Sequence, residues 1–300
     1  MNNSRAFFEF LNSIVKSMRV WQWPKNLIVF TIPLGIASTD FFLYQRIFYA
    51  FFGISLLASS VYFFNDINDI ELDRTNPLKK DRPIASGEIS LQLAYLISMT
   101  LAVMGGSILA QLSNETFALG AAYLFINVTY TYKLKYIKFL DVLSISIMFV
   151  IRVLIGSYAI MTPASSYLLG FIFFASSGLA LSKRISVLND SQVQTDTEYR
   201  TVLNGLYSST NLVSLLTINS SLSVITFILW IGGVKDVEIL SLESIFFGFT
   251  AFLMVLILRK ILKLSTRGLL EDFVVGVIKN KSLLYQIVFS LILLILGLYV

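Results

Sequence analysis

The chain is 300 residues long, 56% hydrophobic and 14% charged, with a net charge of +5 and a mean hydropathy of +0.77, which is more apolar than a water-facing surface tolerates and points to an integral membrane protein. It has no cysteine and no histidine, which excludes disulfides, thiolate nucleophiles, imidazole bases and zinc held by either side chain. The surplus of bases belongs to charge sorting across a bilayer, so no nucleic-acid partner is expected.

In chain order, Phe7, Phe8, Leu11, Ile14, Val15 and Met18 recur at helical spacing among polar residues, and no apolar core with a small-residue cleavage site follows. Residues 1–25 therefore read as an amphipathic segment lying on the membrane surface, not as a signal peptide. Apolar runs of roughly the 17 to 25 residues that cross a bilayer then occur at 26–41, 44–64, 91–111, 116–133, 139–160, 165–182, 209–232, 242–262 and 283–300. The expected fold is all-α, a polytopic membrane helical bundle of about nine transmembrane helices forming a single domain over residues 1–300. The first run is the weakest, being short and carrying Pro33 and Gly35, although Trp21 and Trp23 before it suit an interfacial anchor.

Of the 23 Lys and Arg, all but Arg46, Arg152 and Lys235 fall in the N-terminal segment or in the loops after the second, fourth, sixth and eighth runs. By the positive-inside rule this puts the N-terminus and the loops 65–90 and 183–208 in the cytoplasm, and the C-terminus on the far side. A bacterial inner membrane is the expected location. The two polar loops are four helices apart, which permits a pseudo-repeat of two four-helix halves with the ninth helix appended.

The most polar stretch runs from Asn65 to Gly87, NDINDIELDRTNPLKKDRPIASG. If helix continues out of the apolar run before it, Asp66, Asp69 and Asp73 fall at i, i+3 and i+7 and share a face, with Asn65 one step round. Hard oxygen ligands gathered at a membrane edge suit Mg²⁺, which is usually held by a few carboxylates and the phosphate oxygens of a substrate. Pro77 and the Arg82-Pro83 turn aim the following bases back at the acids, and Arg74, Lys79, Lys80 and Arg82 suit the remaining charge of a phosphorylated ligand. A merely solvated cytoplasmic loop is the plain alternative.

Asn65, Asp66, Asp69 and Asp73, followed by Arg74, Pro77, Lys79 and Arg82-Pro83-Ile84-Ala85-Ser86-Gly87, resemble the first motif of the UbiA-type intramembrane prenyltransferase superfamily. Gln22-Trp23-Pro24-Lys25-Asn26, Leu140-Asp141-Val142, Arg152 and the tail from Gly268 through Glu271-Asp272 are similar to its decaprenyl-phosphate phosphoribosyltransferase branch. The resemblance implies transfer of 5-phosphoribose from phosphoribosyl pyrophosphate to a polyprenyl phosphate, decaprenyl or undecaprenyl, releasing pyrophosphate for cell-envelope glycan precursors. It implies Mg²⁺ on Asp66, Asp69 and Asp73, with Asn65 orienting the site or joining the coordination shell, and phosphates neutralised by Lys25, Lys79 and Arg82. It also favours Lys133 or Lys135 and Asp141 as site residues. Tyr130 and Tyr132 lie beside these lysines at a membrane edge, where aromatics and bases also occur without any function.

Prenyl-transferring relatives carry a second motif with acids four apart after helix six, whereas this chain has Lys183-Arg184 and then Asp190, Asp196 and Glu198. Two bases there suit a second anionic group, or snorkel at a helix end. The chain departs from the phosphoribosyltransferase branch at Val187, where a Glu three residues after Arg184 is expected. Arg152, about eleven residues inside an apolar run, requires a partner. That partner is an acid such as Asp141 or, as the favoured expectation, a lipid phosphate in a cavity. A prenyl transferase with an aromatic or isoprenoid acceptor is the second reading. An ion-coupled transporter is the third, although coupling sites of transporters lie near the midplane and these charges cluster at one face.

Overall fold

The structure, a computed structural model, describes residues 2–77, 79–189, 197–234, 241–270 and 273–300. Asp190, Asp196, Lys235, Glu271 and Asp272 lie outside them, as does the side chain of Glu198. Every regular element among the described residues is helical. The contacts divide the chain into two compact units, one of residues 1–31, 40–132 and 151–162, the other of 32–39, 133–150 and 163–300.

The first unit is built along α3, Phe41–Asn68, a 28-residue helix about 42 Å long at 1.5 Å per residue. It packs lengthwise on α5, Leu91–Leu112. Gly53 and Gly105 let the two backbones meet, because a Cβ on Gly105 would lie 2.7 Å from the Gly53 carbonyl oxygen. Nearer the polar loop, Ser98 donates to the Ser60 carbonyl at 2.9 Å. Against both helices lies α6, Asn114–Tyr132.

The run expected to form the first transmembrane helix is not one continuous α-helix. Residues Val20–Phe30 are a 3₁₀ helix containing Pro24, followed by the five-residue α2, Thr31–Gly35. The 3₁₀ segment runs antiparallel along α3: Trp23 Nε1 donates to Ser59 at 3.0 Å, Asn26 Nδ2 to Ser55 at 3.0 Å, and the Phe30 ring meets that of Phe48. A 3₁₀ run this long is unusual because its backbone bonds are poor; side-chain bonds into a buried serine ladder on α3 support it. Gly156 makes the fit possible, since a Cβ there would collide with the Val29 carbonyl oxygen.

Helix α1, Asn2–Met18, has three faces. Ser13, Ile14, Ser17 and Met18 turn inward, the last packing with Phe63, Ile67 and Ile84. Phe7, Phe8, Leu11 and Val15 form an exposed apolar face, and Glu9, Asn12 and Lys16 an exposed polar one. Ser13 and Lys16 tie the helix to the polar loop through Glu88 and the Asp81 carbonyl.

In the second unit, α8 (Ser166–Asn189) packs on α10 (Ser209–Val234), and α11 (Leu242–Ser265) on α13 (Lys281–Tyr299). The short α9 (Thr197–Leu206) and α12 (Phe273–Lys279) flank them. Ser186 locks α8 to the turn after α11, donating to the Ser265 carbonyl and accepting from Leu270 N–H. Between the loops comes α7, Leu140–Ala159, whose first half belongs to this unit and its second half to the other.

Seven described helices are long and apolar enough to span a bilayer: α3, α5, α7, α8, α10, α11 and α13. The protein is an integral membrane protein. Two of the nine expected runs are not among these seven. Residues 26–41 lack a continuous α-helix, and α6, with Asn127, Thr129, Tyr130 and Thr131 in its last turns, is not among the seven.

Candidate active site

The α-helix α3 stops at Asn68, and Asp69 sits at the break with φ −91° and ψ 6° before α4, Ile70–Thr75, resumes. The backbone bonds Asp69 N–H to Asn65 and Asp73 N–H to Asp69 bridge the interruption. The helical phase therefore survives, and Asp66 and Asp73, seven residues apart, turn the same way. Both are buried, with 3% and 1% exposure.

The turns over residues 79–87 bring Arg82 back onto these acids. Its Nη1 lies 2.7 Å from Asp73 Oδ2 and 3.1 Å from Asp66 Oδ1. Asp66 Oδ1 also accepts from Arg19 Nη2 at 2.6 Å, and the Arg19 guanidinium stacks 4.8 Å from the centre of the Tyr62 ring. Burial pushes the Asp73 carboxyl above its ordinary range, while Arg82 opposes the shift. Asp69 remains half-exposed at the break, and among the described residues no three acids converge as a cation-holding group. The expected triplet is thus a buried pair with a third carboxylate at its rim, because guanidiniums draw Asp66 and Asp73 inward. Two hard carboxylates that converge on a single nitrogen of Arg82 are a donor set that fits Mg²⁺.

Around this pair, Asn65 Oδ1 accepts from the Thr131 hydroxyl of α6 at 2.8 Å, and Asn68 Oδ1 from Tyr132 at 2.8 Å. Lys79 is half-exposed and close enough to stabilise the Asp73 anion. Lys25 lies half-buried on the 3₁₀ segment, and Tyr130 half-buried near the end of α6.

Arg152 has a different setting from the expected cavity. It is 7% exposed in the second half of α7, where Nε donates to Asn26 Oδ1 at 2.7 Å and Nη2 to the Tyr123 hydroxyl at 3.0 Å, with the cation over the Tyr123 ring. Neutral oxygens and a π face disperse its charge inside the protein.

The other expected site residues belong to the second unit. Asp141, in the first turn of α7, pairs with Arg184 Nε through Oδ2 at 2.5 Å and accepts from the Tyr207 hydroxyl through Oδ1. The same hydroxyl accepts from Phe139 N–H at 2.7 Å. Burial and the bond to Asp141 push the Tyr207 hydroxyl well above its ordinary 10.0. Arg184 is 0% exposed and also donates to the Ala180 carbonyl, whereas Lys183 is exposed. Consecutive helical residues point about 100° apart, so the two bases do not act as one anion clamp. Val187 is 1% exposed, packed with Ile185, Leu203 and Tyr207, so nothing polar is offered at this position. Lys133 is exposed, and Lys135 lies over the Tyr136 ring.

Arg19 is the site residue that the linear reading missed: it stands 47 positions before Asp66 and has no spacing signal toward it. One cavity, of about 570 Å³, is lined by Phe42, Gln45, Arg46, Tyr49, Ile108, Gln111 and Leu112. It lies at the opposite end of α3 from Asp66, about 30 Å away at 1.5 Å per residue, and therefore takes no part in this site.

The fold and the paired carboxylates with their guanidiniums define an integral membrane helical protein with a buried charged cluster at the end of α3. The model of the UbiA prenyltransferase family matches residues 26–234, and the chain belongs to that family. It is 32% identical over 225 residues to the decaprenyl-phosphate phosphoribosyltransferase of Mycolicibacterium smegmatis, covering 73% of this chain and 70% of the relative. The enzyme of the same name from Corynebacterium glutamicum is 30% identical over 227 residues, with 73% and 67% covered. Among solved structures, a digeranylgeranylglyceryl phosphate synthase superposes with a TM-score of 0.67 at 19% identity, covering 97% of this chain and 99% of that one. A UbiA homologue from Archaeoglobus fulgidus bound to GPP and Mg²⁺ gives 0.63 at 15%, with 96% and 99% covered. The family makes the protein a transferase, and the transporter reading is not retained.

Proposed function

We propose that the protein transfers 5-phosphoribose from phosphoribosyl pyrophosphate to the phosphate of a polyprenyl lipid, releasing pyrophosphate, at the cytoplasmic face of a bacterial inner membrane. The observation that carries the reading is the convergence of Asp66 and Asp73 beside Arg19, Arg82 and Lys79, which we read as a site for a divalent cation and a diphosphate. The names of relatives about 30% identical support the choice of donor and acceptor.

Asp66 and Asp73, with Asp69 and Asn65 beside them, would hold Mg²⁺, which when bound supplies charge neutralisation to the departing pyrophosphate. Arg82, Lys79 and Lys25 bind the diphosphate and 5-phosphate oxygens, Arg82 with a planar fork of donors. The acceptor phosphate is already an anion and requires no general base, in keeping with a chain that has neither His nor Cys. Asp141, Arg184 and Arg152 position helices and touch no substrate.

Prenyl transfer from a prenyl diphosphate is the second reading, favoured by the burial of Val187 where a donor-contacting acid is expected. Incubation of the purified protein with Mg²⁺, labelled phosphoribosyl pyrophosphate and decaprenyl or undecaprenyl phosphate should give a labelled lipid. No labelled lipid, with turnover instead of a prenyl diphosphate and an aromatic acid, would establish the second reading.

A further inference from the structure

As carboxylates, Asp66 and Asp73 carry two negative charges, and the two guanidiniums in direct contact with them match that charge without any metal. All four charged groups make direct contacts within one small network: Asp66 Oδ1 receives both Arg19 and Arg82, and Asp73 Oδ2 receives Arg82 alone. We propose that Arg19 and Arg82 are resident counter-ions that keep a lone divalent cation out of this site and admit it only together with an anionic diphosphate. The proposal rests on the reading of Asp66 and Asp73 as metal-holding residues.

A cation that takes Asp66 Oδ1 must displace at least one guanidinium from it. Entering alone, it would leave two surplus positive charges among buried groups, where charge repulsion is poorly screened. A diphosphate arriving with the cation cancels that surplus and offers each displaced guanidinium a new acceptor. Arg19 is built to make the exchange. It stands at the junction between α1 and the 3₁₀ segment in a left-handed conformation, φ 52° and ψ 49°, with a side chain one quarter exposed. Its stacking on Tyr62 does not depend on Asp66, so the guanidinium keeps one anchor while its hydrogen bond changes partner. Arg82 links both acids, so its displacement frees Asp73 and leaves Asp66 to Arg19 alone. Arg19 is thus a positioning residue that couples metal entry to donor entry. A site that first receives its metal with the donor does not store the cation between turnovers.

The test is equilibrium dialysis of Mn²⁺ against the full-length protein in nanodiscs, with and without inorganic pyrophosphate. Wild type should bind Mn²⁺ at least about ten-fold more tightly when pyrophosphate is present, as expected for one or more uncompensated charges at a partly buried site. Arg19→Gln should bind Mn²⁺ alone about ten-fold better than wild type, because one counter-charge is gone. Arg19→Lys, which keeps the charge, should restore the wild-type pattern, and melting temperatures verify that each variant is folded. Equal Mn²⁺ affinity of wild type with and without pyrophosphate would overturn the proposal while leaving the metal assignment standing. So would a folded Arg19→Gln with unaltered affinity. Absence of Mn²⁺ binding in every protein and condition would overturn the metal assignment and the proposal together.

Discussion

Arg152 Nε donates to Asn26 Oδ1 at 2.7 Å, fastening the second half of α7 to the 3₁₀ segment that runs along α3. Asn26 in turn donates to Ser55, so one amide joins three elements of the first unit. Replacing Asn26 by Leu removes an acceptor from a buried guanidinium and should cost about 3 kcal/mol, the scale for breaking a buried charged contact. Thermal unfolding in nanodiscs measures it. Arg152→Leu should lower the melting temperature yet leave KM for the lipid phosphate unaltered. A large rise in KM at an undiminished melting temperature would place Arg152 against substrate instead.

Gly156 is the second determinant of the same junction. Its Cα faces the Val29 backbone so closely that a methyl group would meet the carbonyl oxygen, and backbone cannot turn away as a flexible side chain can. Gly156→Ala should therefore destabilise by about 1 to 3 kcal/mol, the usual cost of overpacking. Gly233→Ala, at a position with open space around it, is the matched control and should be near neutral.

The pair of Asp141 and Arg184 predicts non-additivity. Either Asp141→Leu or Arg184→Leu leaves a buried unpaired charge and should cost about 3 to 5 kcal/mol, whereas the double variant should recover much of that loss. Tyr207→Phe removes hydrogen bonds and no charge, for about 1 kcal/mol. The pH dependence follows from the raised Tyr207 hydroxyl. A folded-state value above the ordinary 10.0 means that stability is full below pH 10 and falls as pH rises beyond it. Melting curves in alkaline buffer should show a shallower decline for Tyr207→Phe than for wild type.

These relationships show which parts of the molecule were legible in its sequence. Most spans announced themselves as apolar runs bounded by sorted bases, because a bilayer imposes length and hydropathy on a helix. The stretch at 26–41 misled: its backbone form depends on bonds from Trp23 and Asn26 to serines about thirty residues away. In the site, Asp66, Asp73 and Arg82 were readable because helix phase and a single turn bring them together. Arg19 and the Asp141–Arg184 pair were not, since each joins distant elements. Lys183 and Arg184 looked like a clamp only because adjacency in sequence is not adjacency on a helix.

Asp69 and Asp73 should separate catalysis from architecture. Asp69 makes no ion pair among the described residues, so Asp69→Asn should cut turnover about 100-fold or more, a loss typical of an electrostatic group at a reacting centre, with an unchanged melting temperature. Asp73→Asn should lower both, because Arg82 loses an acceptor at 2.7 Å. Equal melting losses in the two variants would contradict this division.

The most direct measurement is the transfer of radiolabelled phosphoribose from phosphoribosyl pyrophosphate to decaprenyl phosphate by wild type and by Asp66→Asn, with folding verified for both. The account predicts labelled lipid from wild type and a loss of at least about 100-fold in the variant. Full transfer by folded Asp66→Asn, or no labelled lipid from wild type that turns over a prenyl diphosphate, would contradict it.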